Sequence, residues 1–192
     1  MEYEIAHIKA LYPDAYSLGI ADGASENWTL LEQHTQDQVL DFYHATGYLA
    51  KAAHAAFPRG PAQRTQWLEE RGHQLKHKQG AATRLLREME TLAQRSLRSS
   101  VREDLEAAIT YFHNHQHQMN YARHVKADHP IGSGGTEAAC KTLVKQRLCQ
   151  SGMKWKEPGA RIVLSLRALS YTPGRWEQFW TKIDRYGFPL AA

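Results

Sequence analysis

The sequence predicts an α/β protein in which helix far outweighs strand. Two observations carry that expectation. A strand–helix–strand order occupies the first 58 residues, and an almost continuous run of helical periods follows it. A third observation sets the organisation. The glycine-rich stretch "HPIGSGG" (129–135) breaks the helices and opens a basic helical segment.

The elements follow in order. The opening residues are expected to enter a strand almost at once, with Pro13 and Asp14 in a turn. "AYSLGIAD" (15–22) reads as a strand ending at Asp-Gly. "SENWTLLEQHT" (25–35) reads as an amphipathic helix carrying Trp28, Leu30 and Leu31, with Ser25 as its N-cap. "DQVLDFYH" (37–44) alternates and is rich in β-formers, so a second strand is expected there. "ATGYLAKAAHAAF" (45–57) is a helix that Pro58, Gly60 and Pro61 terminate. A helical crossover between two strands implies parallel pairing.

From residue 59 to about Tyr121 every stretch has a helical period and none reads as a strand, which gives three or so helices. Beyond the glycine loop a helix is expected from about Gly134 to Gln150. "SGMKWKEPG" is a second break. Two more helices, "ARIVLSLRALSY" and "GRWEQFWTKIDRY", flank Pro173 and Gly174. The domain boundaries are therefore 1–58, 59–128 and 129–192.

The bulk numbers bound the function. The formal charge of +4 permits a polyanionic partner without demanding one, and the 11 histidines add charge in acid. Cys140 and Cys149 lie roughly 13–14 Å apart if the segment is helical, too far to bridge, and no CxxC occurs. That suits a reduced, cytoplasmic protein. No apolar run approaches the ~20 residues that cross a bilayer, and the opening residues show no signal-peptide pattern.

Three acids stand out. Asp22 ends the first strand, where ligands collect in parallel sheets, though an Asp-Gly turn is an equally physical reading. Asp41 and His44 end the expected second strand. Their odd spacing points them to opposite faces, so a buried polar junction is the simpler account. Glu137 falls in the first turn of a helix, where the dipole favours an ionised carboxylate, and Gly134 stands where a capping box needs Ser or Thr. Such an acid suits a hard cation, and it equally suits a plain helix start.

Lys141 and Lys145 share a face with Glu137 at i, i+4 and i+8, and Arg147, Lys154, Lys156 and Arg161 continue the charge, interleaved with Met153 and Trp155. That pattern describes either a solvated face or a surface that tracks phosphates. His113 and His117 have the i, i+4 spacing of a metal pair, but no neighbouring ligand completes a tetrahedral set.

The blocks "IADGASENW", "LDFYHATGYLAKAA", "HPIGSGGTEAACKTLVKQRLCQSGMKW" and "GARIVLSLRALSYTPGRWEQFW" resemble, in order and over nearly the whole chain, the C-terminal half of bacterial insertion-sequence transposases of the ISKra type. The third block is the specific one. The resemblance implies a DDE transposase with an RNase-H-like core and an all-helical insertion at 59–128. It implies that Asp22 is the second catalytic aspartate and Glu137 the closing glutamate. It also implies that Asp41 and His44 stand where related Mutator-like enzymes carry a supporting C/D-x-x-H motif. The implied cofactor is Mg²⁺ or Mn²⁺, and the implied partner is DNA, held by Lys141, Lys145, Arg147, Lys154, Lys156 and Arg161.

The match has one departure. The first aspartate of such a core should lie on an earlier strand, and Glu2, Glu4 and Asp14 are the only acids before "YSLGIAD". The expectation is therefore a truncated core that is inactive alone and acts with a missing N-terminal half or a full-length transposase. The alternative is a non-catalytic DNA-binding or regulatory remnant. An α/β core stripped of strands also exposes a sheet edge, which predicts self-association.

Overall fold

The computed structural model describes residues 2–188, and the side chains of 4–188. The protein is α/β and mostly helical, built as two compact units, Met1–Ser133 and Gly134–Ala192.

The first unit opens with helix α1 (Glu2–Leu11), not with a strand. "EIAHIKAL" contains no glycine or proline, so nothing stops a helix before Pro13, and Pro13 and Asp14 then form the turn expected of them. Strand β1 (Leu18–Ala21), helix α2 (Ser25–His34) and strand β2 (Asp37–Leu40) follow. The strands pair in parallel, from Leu18 opposite Asp37 to Ala21 opposite Leu40. Helix α2 lies close on β1, since a Cβ on Gly19 would meet the Leu31 side chain at 3.1 Å. Ser25 is the first residue of α2 rather than its cap. Ala24 holds the cap position with no side-chain bond, and the Ser25 carbonyl instead accepts a bond from Thr29.

Helix α3 (Phe42–Ala56) starts three residues earlier than its sequence suggests. Asp41 and His44 are therefore not strand residues. The ladder ends where the Asp41 amide donates to the Ala21 carbonyl at 2.7 Å, and the Asp41 carboxylate then caps the new helix. Helices α4 (Pro61–His77), α5 (Ala81–Ala93) and α6 (Ser99–His115) account for the helical stretch, followed by a 3₁₀ turn at Gln116–Gln118 and the short α7 (Tyr121–Lys126). Alanines 45, 52, 53 and 55 give α3 a narrow buried face against α4 and α6. Leu85, Met89 and Leu92 of α5 and Leu105, Ala108 and Phe112 of α6 fill the centre beside Val39 and Leu40.

Among the described residues, the regular elements of the second unit are all helices. It runs through α8 (Gly134–Ala139), a π turn at Cys140–Lys145, α9 (Gln146–Leu148), α10 (Glu157–Tyr171) and α11 (Arg175–Tyr186). Helix α10 begins inside the expected break because Pro158 stands at its first turn, where a missing N–H costs nothing. Both cysteines are free and exposed. Among the described residues, no helix is long and apolar enough to cross a membrane.

Behind β2, Asp37 accepts from the Tyr16 hydroxyl at 2.8 Å and pairs with Arg123 at 2.7 Å. His124, 2 % exposed, sits 3.8 Å from Asp37, and its Nδ1 has no hydrogen-bond partner. Burial holds its pKa below the ordinary value, with Arg123 and His129 adding to the effect and Asp37 opposing it. The unfolded chain therefore takes up this proton first as pH falls through about 6.5, and stability is lost below that pH. Denaturant midpoints should drop between pH 7 and pH 5.5, and His124→Gln should flatten that slope.

Candidate functional site

Parallel strands deliver their carboxyl ends to the same edge, so the register that pairs Ala21 with Leu40 places Asp22 beside Asp41. Ligands in α/β proteins gather at such an edge. The two carboxylates are nevertheless held very differently.

Asp41 is 1 % exposed. Its Oδ1 accepts from the amides of Tyr43 at 2.7 Å and His44 at 3.0 Å, the first-turn donors of α3. Its Oδ2 accepts from the Ser133 amide at 2.5 Å and the Ser133 hydroxyl at 2.6 Å. His44 turns its Nδ1 to 3.4 Å from Oδ1, so Asp41 and His44 do converge, on one helix start. Burial alone would push the Asp41 carboxyl up. The Ser133 hydroxyl and amide, with the His44 and Tyr43 amides, outweigh it and hold the group below the usual carboxylate range.

The glycine loop is thereby docked on α3. The Phe42 amide donates to the Ile131 carbonyl at 2.9 Å, and a Cβ on Gly132 would meet the Tyr43 ring at 2.9 Å. A side chain at this position would push the exposed Tyr43 ring aside. Ser133, the last residue of the unit, is pinned four residues before Glu137 in the chain.

Asp22 is exposed. Its Oδ1 accepts from the Ala24 amide at 3.2 Å and the Asn27 side-chain amide at 3.0 Å. Its Oδ2 has no hydrogen-bond partner among the described residues. Its carbonyl accepts from the Tyr111 hydroxyl at 2.8 Å, and Gly23 follows at φ +99°. The Asp-Gly turn and the strand-end acid are thus one structure. Asp22 keeps an oxygen for a ligand, whereas both oxygens of Asp41 are fully used.

In the second unit, Glu137 stands exposed in the first turn of α8. Lys141, Lys145, Arg147, Lys154, Lys156 and Arg161 are all exposed. Arg147 lies over the Trp155 ring at 5.6 Å, and Arg161 is 3.9 Å from Glu157. A straight α-helix would carry Lys145 about 80° away from the line of Glu137. The π turn winds more slowly and reverses part of that drift. Arg167 stabilises the turn by donating to the Thr142 carbonyl at 2.7 Å and the Leu143 carbonyl at 3.1 Å. Ten Lys and Arg residues and four acids fall in 134–192, a formal +6, against −2 for 1–133.

No group of three or more His, Cys, Asp or Glu side chains with metal-binding geometry occurs among the described residues, His113 and His117 included. Comparison of the chain with family models, curated proteins and solved structures yields no match.

Asp41→Ala removes a helix cap and leaves Ser133 without its acceptor. It should cost about 2–4 kcal/mol, read as a lowered unfolding midpoint. It should also abolish hydrogen-exchange protection of the Ser133 amide, while Gly132→Ala should displace Tyr43.

Proposed function

We propose that the chain is the C-terminal part of an insertion-sequence transposase of the ISKra type, with an RNase-H-like core that cleaves and joins DNA with Mg²⁺ or Mn²⁺. The observation that carries this reading is the Asp41–Ser133 clamp. It ties the end of the glycine loop, at Ser133, to the strand edge that bears Asp22. A supporting role for the Asp-x-x-His pair then has a physical content: Asp41 holds backbone, and His44 flanks it.

Asp22 fits a metal ligand, being exposed with one uncommitted oxygen. Glu137 is the second ligand on this reading. Asp41 does not fit, because four donors already saturate it. If bound at Asp22 and Glu137, Mg²⁺ would supply the activation of water or a 3′-hydroxyl and the stabilisation of the leaving oxygen at phosphorus. The protein's own part is to present hard oxygens from separate stretches of chain and to hold the DNA backbone on the Lys141 and Lys145 face. With two acidic ligands, the chain is expected to need a further carboxylate from an N-terminal half or a full-length transposase before it cleaves. The second reading, a DNA-binding remnant without catalysis, is favoured by the concentration of charge in 134–192.

Mn²⁺ titrated into the full chain should broaden amide signals at Gly23, an effect lost on Asp22→Ala, and near Glu137, an effect lost on Glu137→Ala. Broadening at neither place would sink the metal reading and leave the remnant. Duplex DNA affinity should fall steeply with salt, and Lys141→Ala with Lys145→Ala should reduce the log–log slope by about two. A salt-insensitive or absent interaction would remove both readings.

A further inference from the structure

We infer that Tyr111 is a positioning residue for Asp22, a role that rests on the metal reading above. Tyr111 belongs to α6, eighty-nine residues from Asp22 in the chain, within the stretch expected to be a helical insertion. Its hydroxyl donates to the Asp22 carbonyl at 2.8 Å. Its ring stacks on Tyr48 of α3 with centroids 3.8 Å apart and planes 11° from parallel, so α3 and α6 together fix where the hydroxyl stands.

The turn it holds has little freedom of its own. Gly23 lies at φ +99°, and a Cβ there would come within 3.2 Å of both the Tyr111 ring and His115 Nε2. His115 is itself tied back, since its Nδ1 lies 3.1 Å from Gln118 Oε1 and the Gln118 amide donates to Gln38 of β2 at 3.3 Å. The backbone after Asp22 is therefore seated on α6, and the Ala24 amide is aimed at Asp22 Oδ1. With Oδ1 occupied from this side, Oδ2 is the oxygen left for a cation. Without the hydroxyl, the Asp22 carbonyl loses its anchor, the turn gains freedom, and the carboxylate pays for its own ordering when a metal binds.

The test titrates the full chain with Mn²⁺ alone and follows broadening of the Gly23 and Ala24 amides. Tyr111→Phe deletes one oxygen and keeps the stacked ring. It should weaken Mn²⁺ about tenfold and speed amide exchange at Ala24, with the thermal midpoint little changed. Gly23→Ala disturbs the same turn by a separate route and should weaken Mn²⁺ as well. If wild type binds, Asp22→Asn does not, and both variants match wild type, the inference is overturned while the metal reading stands. If wild type shows no broadening at these amides, the metal reading falls and takes the inference with it.

Discussion

The carboxylate of Asp41 is a buried anion with no lysine or arginine paired to it among the described residues. Such a charge is tolerated only where hydrogen bonds replace its lost water. Four donors do so here, and they come from two places. Two are the first-turn amides of α3, and two belong to Ser133, ninety-two residues on. Satisfying one buried group thus dictates three things at once: where β2 stops, where α3 starts, and where the glycine loop lies. The loop's composition follows. Gly132 lies against the Tyr43 ring, and the next residue offers both an amide and a hydroxyl to one oxygen.

Two aspartates on one strand edge have been driven to opposite uses by their surroundings. Asp41 spends every lone pair on protein donors and becomes a structural fastening. Asp22 sits in an exposed turn that consumes one oxygen and leaves the other. Different environments assigning different roles to like carboxylates is a general device of active sites. It is also why position in a motif cannot by itself identify a ligand.

The sequence made the architecture legible where period and punctuation agree. The parallel strand–helix–strand order, the helical run after it and the breaks at Pro58 and Pro173 all rest on short-range chemistry. It misled at "LDFYH", because alternation over a few residues looks alike in a strand and at a helix start preceded by a cap. An Asp directly before a run with a helical period is an N-cap signal, and Asp41 ahead of Phe42–Ala56 offers it. Helix α1 was not legible because Glu2–Leu11 has only a weak amphipathic pattern. Ser133 and Tyr111 were not legible at all. Each acts on a partner about ninety residues away, and nothing local in "GSGG" or "ITYFH" announces it. The π turn is likewise invisible locally: two of its carbonyls are taken by Arg167 of another helix.

The charge distribution completes the physical picture. Residues 134–188 contain no buried side chain, yet they carry a formal +6 against −2 for residues 1–133. A helical segment of that kind has little apolar burial to set against the mutual repulsion of its cations. A polyanion would relieve the repulsion and, by binding only the ordered form, would add to its stability in proportion to its own affinity. On the proposed reading, DNA is then more than a substrate for this part of the chain. It supplies the electrostatic term that the basic helices lack, and the Glu137 segment is ordered most firmly when the phosphate it acts upon is present.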